Sequence, residues 1–214
     1  MLRYRYLAVA PVAAALALAP ALPALAAGSV LTVGAPGGTA AAAGDQLNAS
    51  LVGGSQATFF SSAGGSTGVR CSTSTFAATV QTNPDAPGTA TESLTSQTFT
   101  NCTANVGGVN RVNSVTITNL PYAVSATSGG AVGLTGQVSS TVSLGTILGN
   151  ITCRYALSDA TLDGTAGGDG SIAFANQQFT KQSGPGLCFN TVFFTARYGP
   201  VVDSSQGGGT VFVN

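Results

Sequence analysis

The sequence predicts an all-β fold, an antiparallel β-sandwich of the immunoglobulin-like or jelly-roll-like kind that two disulfides stabilise. Short runs of β-branched and aromatic residues recur along the chain, and glycine, proline, asparagine or aspartate separates them. Serine and threonine, which are poor in helix interiors, are abundant in these runs. The cysteines are even in number, which is typical of an oxidised framework.

Residues 1–26 have the parts of a secretory signal peptide. Arg3 and Arg5 precede an alanine- and leucine-rich stretch at 7–18, and Ala24-Leu25-Ala26 provides small residues for cleavage. We expect export by the general route with cleavage after Ala26. No cysteine stands at the cleavage site to accept a lipid, so the mature protein is predicted to be released as a secreted, extracellular protein.

Residues 27–45 follow the leader and are rich in alanine and glycine. This composition predicts a flexible arm, although Leu31 and Val33 favour an edge strand. Residues 46–214 form the predicted β-sandwich domain. Besides the hairpin described next, the β-prone runs of the mature chain lie at 30–33, 47–60, 69–80, 91–102, 112–120, 122–128, 161–166, 172–179, 189–198 and 210–213.

The strongest strand pattern lies at 150–157, where Ile151, Cys153, Tyr155 and Leu157 alternate with mostly polar neighbours. A run at 138–144 shows the same alternation. The glycine-bounded segment 145–149 between them is suited to a turn, so we expect the two runs to pair as a hairpin. One face of each strand is therefore predicted to be buried.

Four cysteines lie in the predicted mature chain: Cys71, Cys102, Cys153 and Cys188. Of the three possible pairings, we favour Cys71–Cys102 and Cys153–Cys188, because each pair closes a compact stretch of chain. A loop of this length stabilises the fold by about 3.5–4 kcal/mol on the chain-entropy model. Zinc sites usually pair ligands two to four residues apart, so neither a metal nor a cofactor is predicted.

Composition argues against several classes of function. Charged residues make up 7% of the chain, and removal of the leader leaves more acidic than basic residues, which argues against a nucleic-acid partner. No apolar run in the predicted mature chain approaches the length needed to span a bilayer. The chain has no histidine, which excludes a Ser-His-Asp or Cys-His arrangement within it, and we predict that it is not an enzyme.

Carboxylates remain available for acid–base chemistry, and a carboxylate-dependent glycoside hydrolase is therefore one alternative. The absence of tryptophan weighs against it, since sugar clefts use stacking aromatics. Asp159, Asp163 and Asp169 invite a calcium interpretation, but turn formation by Asp-Gly pairs explains their segment. The acidic residues of the mature chain are Asp45, Asp85, Glu92, Asp159, Asp163, Asp169 and Asp203.

A second alternative is a secreted protease inhibitor. The segment 183–188 is a rigid turn next to a cysteine, and an inhibitor would present Gly184, Pro185, Gly186 and Leu187 to its protease. Turns next to disulfides are also common in small secreted folds.

Five segments of the chain carry a resemblance to known proteins: 68–71, 101–103, 151–153, 172–179 and 183–189. Together they resemble a group of secreted actinobacterial proteins of unassigned function. The resemblance covers residues 28–214 and implies export and two disulfides, with no activity attached. The leading hypothesis is a non-enzymatic extracellular module, structural, adhesive or binding, at or near the bacterial cell surface, with a cell-wall or other extracellular glycan or protein as its partner.

Overall fold

The computed structural model describes residues 28–214 and consists of β-strands joined by turns and loops. The predicted leader and its cleavage site lie outside the described residues. Within residues 28–214, no helix is long and apolar enough to cross a membrane. The strands are β1 (Leu31–Val33), β2 (Thr39–Ala40), β3 (Gln46–Ser50), β4 (Ala57–Phe60), β5 (Gly68–Thr82), β6 (Thr89–Ala104), β7 (Val109–Thr118), β8 (Tyr122–Thr127), β9 (Ala131–Thr135), β10 (Ser139–Thr146), β11 (Gly149–Leu157), β12 (Thr161–Ala166), β13 (Ile172–Ser183), β14 (Thr191–Tyr198), β15 (Val202–Asp203) and β16 (Gly209–Val213).

Eight of these strands close into a barrel. Their order around the ring is β5, β6, β8, β9, β12, β13, β14 and β4, and β4 pairs back with β5. Every pair in the ring is antiparallel, and the β4–β14 pair, in which Phe59 lies opposite Phe194, completes it. The predicted all-β, antiparallel class is confirmed, whereas the predicted sandwich is wrong.

Alternation of apolar and polar residues along a strand shows that one face of the strand is buried, but it does not show what the strand packs against. This holds equally in a sandwich and in a barrel. The pair that closes the ring joins distant parts of the chain, as shown by Thr58 and Thr195, which are 137 residues apart and in hydrogen-bond contact. No local pattern encodes such a pairing.

Two groups of strands extend from the barrel because β5 and β13 change partners along their lengths. The start of β5, Gly68–Cys71, pairs with β4, whereas Thr75–Thr79 pairs with β3. From β3 the sheet continues through β15, β16, β1 and β2. We call these five strands, β3 included, the first extension. The end of β13, Phe179–Ser183, pairs with β11, and the sheet continues through β10 and β7.

The segment that follows the predicted leader is part of the sheet. Leu31–Val33 forms β1, which is buried and lies between β2 and β16. The Asn83 side chain holds it to the β5–β6 turn, because its Oδ1 accepts a hydrogen bond from the Leu31 amide and its Nδ2 donates to the carbonyls of Leu31 and Ala41. Residues 30–41 therefore belong to the folded unit.

Two disulfides are confirmed, and no free cysteine remains among residues 28–214. Cys71 on β5 is joined to Cys102 at the paired position on β6. Cys153 on β11 is joined to Cys188, in the loop that follows β13. Such bonds persist in an oxidising environment, which is consistent with an extracellular protein.

Candidate functional site

The barrel encloses a cavity that we call the barrel cavity, and strands outside the ring, including β1, β3, β10 and β16, also contribute to its wall. Its volume is about 120 Å³. For comparison, an apolar cavity of ~150 Å³ in another protein admits benzene. Most of its wall is aliphatic or aromatic, including Leu94, Val124, Leu134, Leu162, Phe174 and Phe194.

Small inward-facing residues create this space. An eight-stranded barrel is just wide enough for its side chains to fill it or to enclose one small ligand. Here Ala78, Ala126 and Ala166 line the cavity at positions where a larger residue would fill it. Gly164 instead makes room for a ring of the wall, since a Cβ at this position would lie 2.6 Å from the ring of Phe174.

Aromatic rings close one end of the barrel cavity. The centroid of Phe59 lies 5.3 Å from that of Phe99 and 5.1 Å from that of Phe194. Phe59 also lines a second, smaller cavity of about 30 Å³, whose wall includes the disulfide between Cys153 and Cys188. We call this second space the disulfide cavity. It offers about the volume that one water molecule occupies in the liquid.

A polar cluster at the wall of the barrel cavity satisfies its own hydrogen bonds. Gln97 Nε2 donates to the Tyr198 hydroxyl at 2.9 Å and to the Ser74 hydroxyl at 2.8 Å, and these two hydroxyls are 2.8 Å apart. Burial raises the pKa of Tyr198 to about 12, so its phenol is neutral at physiological pH. This cluster therefore has little capacity left for a ligand.

Glu92 is different, because its carboxyl group lines the same cavity without a partner. The residue is 6% exposed, and its side chain makes no hydrogen bond or salt bridge within residues 28–214. Burial raises its pKa from 4.5 to about 7. Among residues 28–214, no lysine or arginine lines this cavity, and the carboxyl group of Glu92 is the only acidic one in its wall.

Strand alternation places Glu92 inside the barrel. On β6, Ala90, Glu92 and Leu94 are buried, and the residues between them are more exposed. Glu92 lies between Val80 of β5 and Val124 of β8 in the sheet register. From the sequence alone, Glu92 is one of seven candidate carboxylates, and its alternation in phase with Ala90 and Leu94 is the signal that distinguishes it.

Ser140 on β10 is the other polar side chain of the wall that is left uncommitted. It is buried, and its hydroxyl makes no hydrogen bond within the described residues. The Tyr122 hydroxyl, by contrast, donates to the Thr118 carbonyl and accepts from the Ser139 amide. The cavity thus combines an apolar wall with one free carboxyl group and one free hydroxyl.

Asp45 and Asp203, two other predicted candidates, lie together in the first extension. Asp203 is fully buried, and its Oδ1 accepts hydrogen bonds from the amides of Ser205 and Gln206 at 2.9 and 3.1 Å. Burial and the neighbouring Asp45 raise the pKa of Asp203, whereas hydrogen bonds from Gln206 and Ala42 lower the pKa of Asp45.

The two carboxyl groups are close enough to share a hydrogen bond when one of them carries a proton. With both groups ionised, Asp203 Oδ2 is sealed from solvent and has no hydrogen-bond partner within residues 28–214, unlike the Glu92 carboxyl group, which faces the open space of the barrel cavity. A proton on Asp203 removes this deficit, because Oδ2 then donates to Asp45. Carboxyl groups in direct contact leave no room for a glycosidic bond, which requires a separation of about 5–9.5 Å.

The aspartates of the glycine-rich segment are distributed around β12. Asp159 precedes this strand, Asp163 is exposed on it and Asp169 follows it. Asp169 forms a salt bridge of 2.6 Å with Arg197, and a hydrogen bond from the Ser171 hydroxyl is the main cause that lowers the pKa of Asp169. Within residues 28–214, no group of three or more acidic or cysteine side chains is placed to hold a metal ion.

The candidate inhibitor loop, Gly184 to Leu187, is exposed but held against the disulfide. The Cys188 amide donates to the Pro185 carbonyl, and Lys181 Nζ donates to the Cys188 carbonyl at 3.1 Å. Leu187 is 37% exposed and lines the disulfide cavity. Gly184 has a φ of +134°, and a Cβ there would lie 2.6 Å from Cys188 Sγ, so this position requires glycine.

Comparison of the chain with protein-family models, with curated proteins and with solved structures found no match. The functional assignment therefore depends on the geometry of the barrel cavity and on the chemistry of the side chains that line it.

Proposed function

We propose that this protein is a secreted, non-enzymatic binding protein whose barrel cavity holds one small, largely apolar molecule. The observation that supports this function best is the unpartnered carboxyl group of Glu92 in an otherwise mostly apolar cavity of about 120 Å³. Ligand sites commonly combine an apolar wall with a small number of polar groups that fix orientation.

The energetic cost of the cavity supports this proposal. An unfilled space of about 120 Å³ in a protein core reduces stability by roughly 3 kcal/mol, at about 24 cal/mol per Å³. A buried carboxyl group without a hydrogen-bond partner adds a further cost. A ligand that fills the space and contacts Glu92 would reduce both costs, whereas a purely structural core would be more stable with a hydrophobic residue there.

The extracellular setting is the second part of the proposal. Two disulfides with no free cysteine in residues 28–214 are consistent with an oxidising compartment, and the predicted leader supplies the route of export. The sequence predicts a binding module at or near the cell surface, and we propose that its binding site lies inside the barrel.

A matched pair of substitutions on one strand tests this function. Ala126 of β8 lines the barrel cavity, whereas Ala123 of the same strand is exposed. Ala126→Leu should fill the space and weaken the binding of toluene at least tenfold, and Ala123→Leu should leave its affinity unchanged. Affinity is measured by isothermal titration calorimetry, with circular dichroism to verify folding. The proposal fails if the wild-type protein does not bind toluene, or if folded Ala126→Leu protein binds it as well as the wild type does.

A further inference from the structure

We infer that the molecule in the barrel cavity is a compact apolar amine whose protonated nitrogen binds the Glu92 carboxylate. This inference rests on the proposed function and specifies the chemical class of its ligand. It depends on which partner Glu92 lacks, on the charges around the cavity and on the size of the cavity.

The missing partner is a hydrogen-bond donor. An ionised carboxylate only accepts hydrogen bonds, and the wall of the barrel cavity donates none to Glu92. Gln97 is committed to Tyr198 and Ser74, and the Tyr122 hydroxyl is committed to Thr118. A ligand that complements Glu92 must therefore supply the donors itself, which an ammonium group does with up to three N–H bonds.

The charge pattern favours a cation over a neutral or acidic ligand. No lysine or arginine of the described part of the chain lines the cavity to compete for Glu92. An ammonium–carboxylate hydrogen bond is roughly twice as strong as a neutral one. A ligand carboxylate would meet a like charge in apolar surroundings. Ser140 is compatible with either type of ligand, because its hydroxyl both donates and accepts.

The size and wall chemistry of the cavity define the rest of the ligand. A volume of about 120 Å³ is close to the ~150 Å³ of a cavity that holds benzene, so the apolar part is no larger than about one six-membered ring. Phe76, Phe174 and Phe194 lie in the wall and provide ring faces and edges for such a group. Benzylamine has this size and charge and is a suitable probe.

Amine binding should also depend on pH. Among residues 28–214, the titratable side chains of the cavity wall are Glu92 and the phenols of Tyr122 and Tyr198. Burial brings the pKa of Glu92 into the range between pH 5 and pH 8, whereas it raises that of Tyr198 to about 12. Because burial raises the pKa of Glu92 to about 7, the free protein holds a neutral carboxyl group at pH 5.5 and a carboxylate at pH 8. Benzylamine should bind at least about tenfold more weakly at pH 5.5, because Glu92 must first lose its proton.

The experiment measures the affinity of four ligands by isothermal titration calorimetry. Each ligand has one benzene ring with one short substituent: benzylamine, benzyl alcohol, toluene and benzoate. The proteins are the wild-type chain, Glu92→Gln, and Asp159→Asn as a control that removes one exposed carboxylate. At pH 8 the wild type and Asp159→Asn should bind benzylamine about tenfold or more tightly than benzyl alcohol. Glu92→Gln should lose this preference and still bind toluene.

The inference is overturned if Glu92→Gln binds benzylamine as tightly as the wild type does, or if benzyl alcohol or benzoate is the preferred ligand. The pH series on the wild type tests the same point without a substitution, and equal affinity for benzylamine at pH 5.5 and pH 8 would contradict it. Failure of the proposed function itself gives a different result, since toluene would then not bind the wild-type protein at either pH.

Discussion

The barrel cavity around Glu92 measures about 120 Å³ and contains neither disulfide in its wall, whereas the disulfide cavity measures about 30 Å³ and is lined by Cys153 and Cys188. Strands of one continuous sheet line both cavities, and Phe59 contributes to both walls. Large side chains such as Leu144, Tyr155 and Phe189 surround the smaller space, whereas several alanines face the larger one.

The comparison indicates how this fold tolerates an unfilled interior. A disulfide that closes a loop of 35 residues stabilises a protein by about 3.5–4 kcal/mol on the chain-entropy model. This is similar to the roughly 3 kcal/mol that the barrel cavity costs when empty. The covalent stabilisation beside the disulfide cavity thus offsets the cost of the neighbouring barrel cavity, and that space can be kept for a ligand.

The largest expected effect comes from removing the disulfide beside the smaller cavity. The double substitution Cys153→Ser and Cys188→Ser should lower the free energy of unfolding by about 3.5–4 kcal/mol. Urea denaturation followed by circular dichroism measures this loss. Toluene affinity of the folded fraction should stay within about twofold of the wild type, since neither cysteine lines the barrel cavity. A large loss of toluene affinity in folded protein would show that the barrel cavity depends on the disulfide beside the disulfide cavity.

Glu92, in the wall of the barrel cavity, should make the free energy of unfolding depend on pH. Its pKa in the folded protein is raised from 4.5 to about 7, so its favourable contribution is complete below pH 4.5 and is lost as the pH rises through 7. Relative to Glu92→Gln, the wild type should be less stable at pH 8 than at pH 4.5 by about 2–4 kcal/mol. Denaturant unfolding of both proteins at the two pH values gives this difference, and equal differences at both pH values would contradict it. Asp159→Asn is the control for loss of one carboxylate.

A smaller effect should separate two buried leucines, one in each wall. Leu144 lines the disulfide cavity and Leu94 lines the barrel cavity, and both are almost fully buried. Leu→Ala in a core costs about 2–5 kcal/mol. Leu144→Ala should cost about 1 kcal/mol more than Leu94→Ala, because a side chain next to an existing space has fewer contacts to lose. Thermal and urea unfolding of the two variants provide the comparison, and a larger cost for Leu94→Ala would indicate that the barrel end is the better packed one.

Local features of the fold were predictable from the sequence. The expected hairpin is confirmed, since β10 and β11 pair with Val142 opposite Cys153. Alternation over 138–144 and 150–157, with a glycine-bounded turn between them, specified both the strands and their pairing. These signals depend on residues that are close in the chain.

The barrel and its cavity depend on contacts between residues that are far apart in the chain. Neither feature was predictable from local sequence patterns. Closure requires β4 to pair with β14, and the cavity requires alanines from separate strands to face one another. Glu92 stands in a run of threonine and serine, Thr91-Glu92-Ser93, whose composition resembles an exposed strand. Only the closed ring shows that its inner face is enclosed.

The most direct test of the central claim locates a bound ligand inside the protein. Methyl-resolved NMR spectra of the wild-type chain are recorded during titration with toluene. We expect chemical-shift changes at Leu94, Val124 and Leu134 around the barrel cavity and almost none at Leu144 and Val192 around the disulfide cavity. Shifts confined to the disulfide cavity or to the outer surface, or no saturable shifts at all, would contradict it.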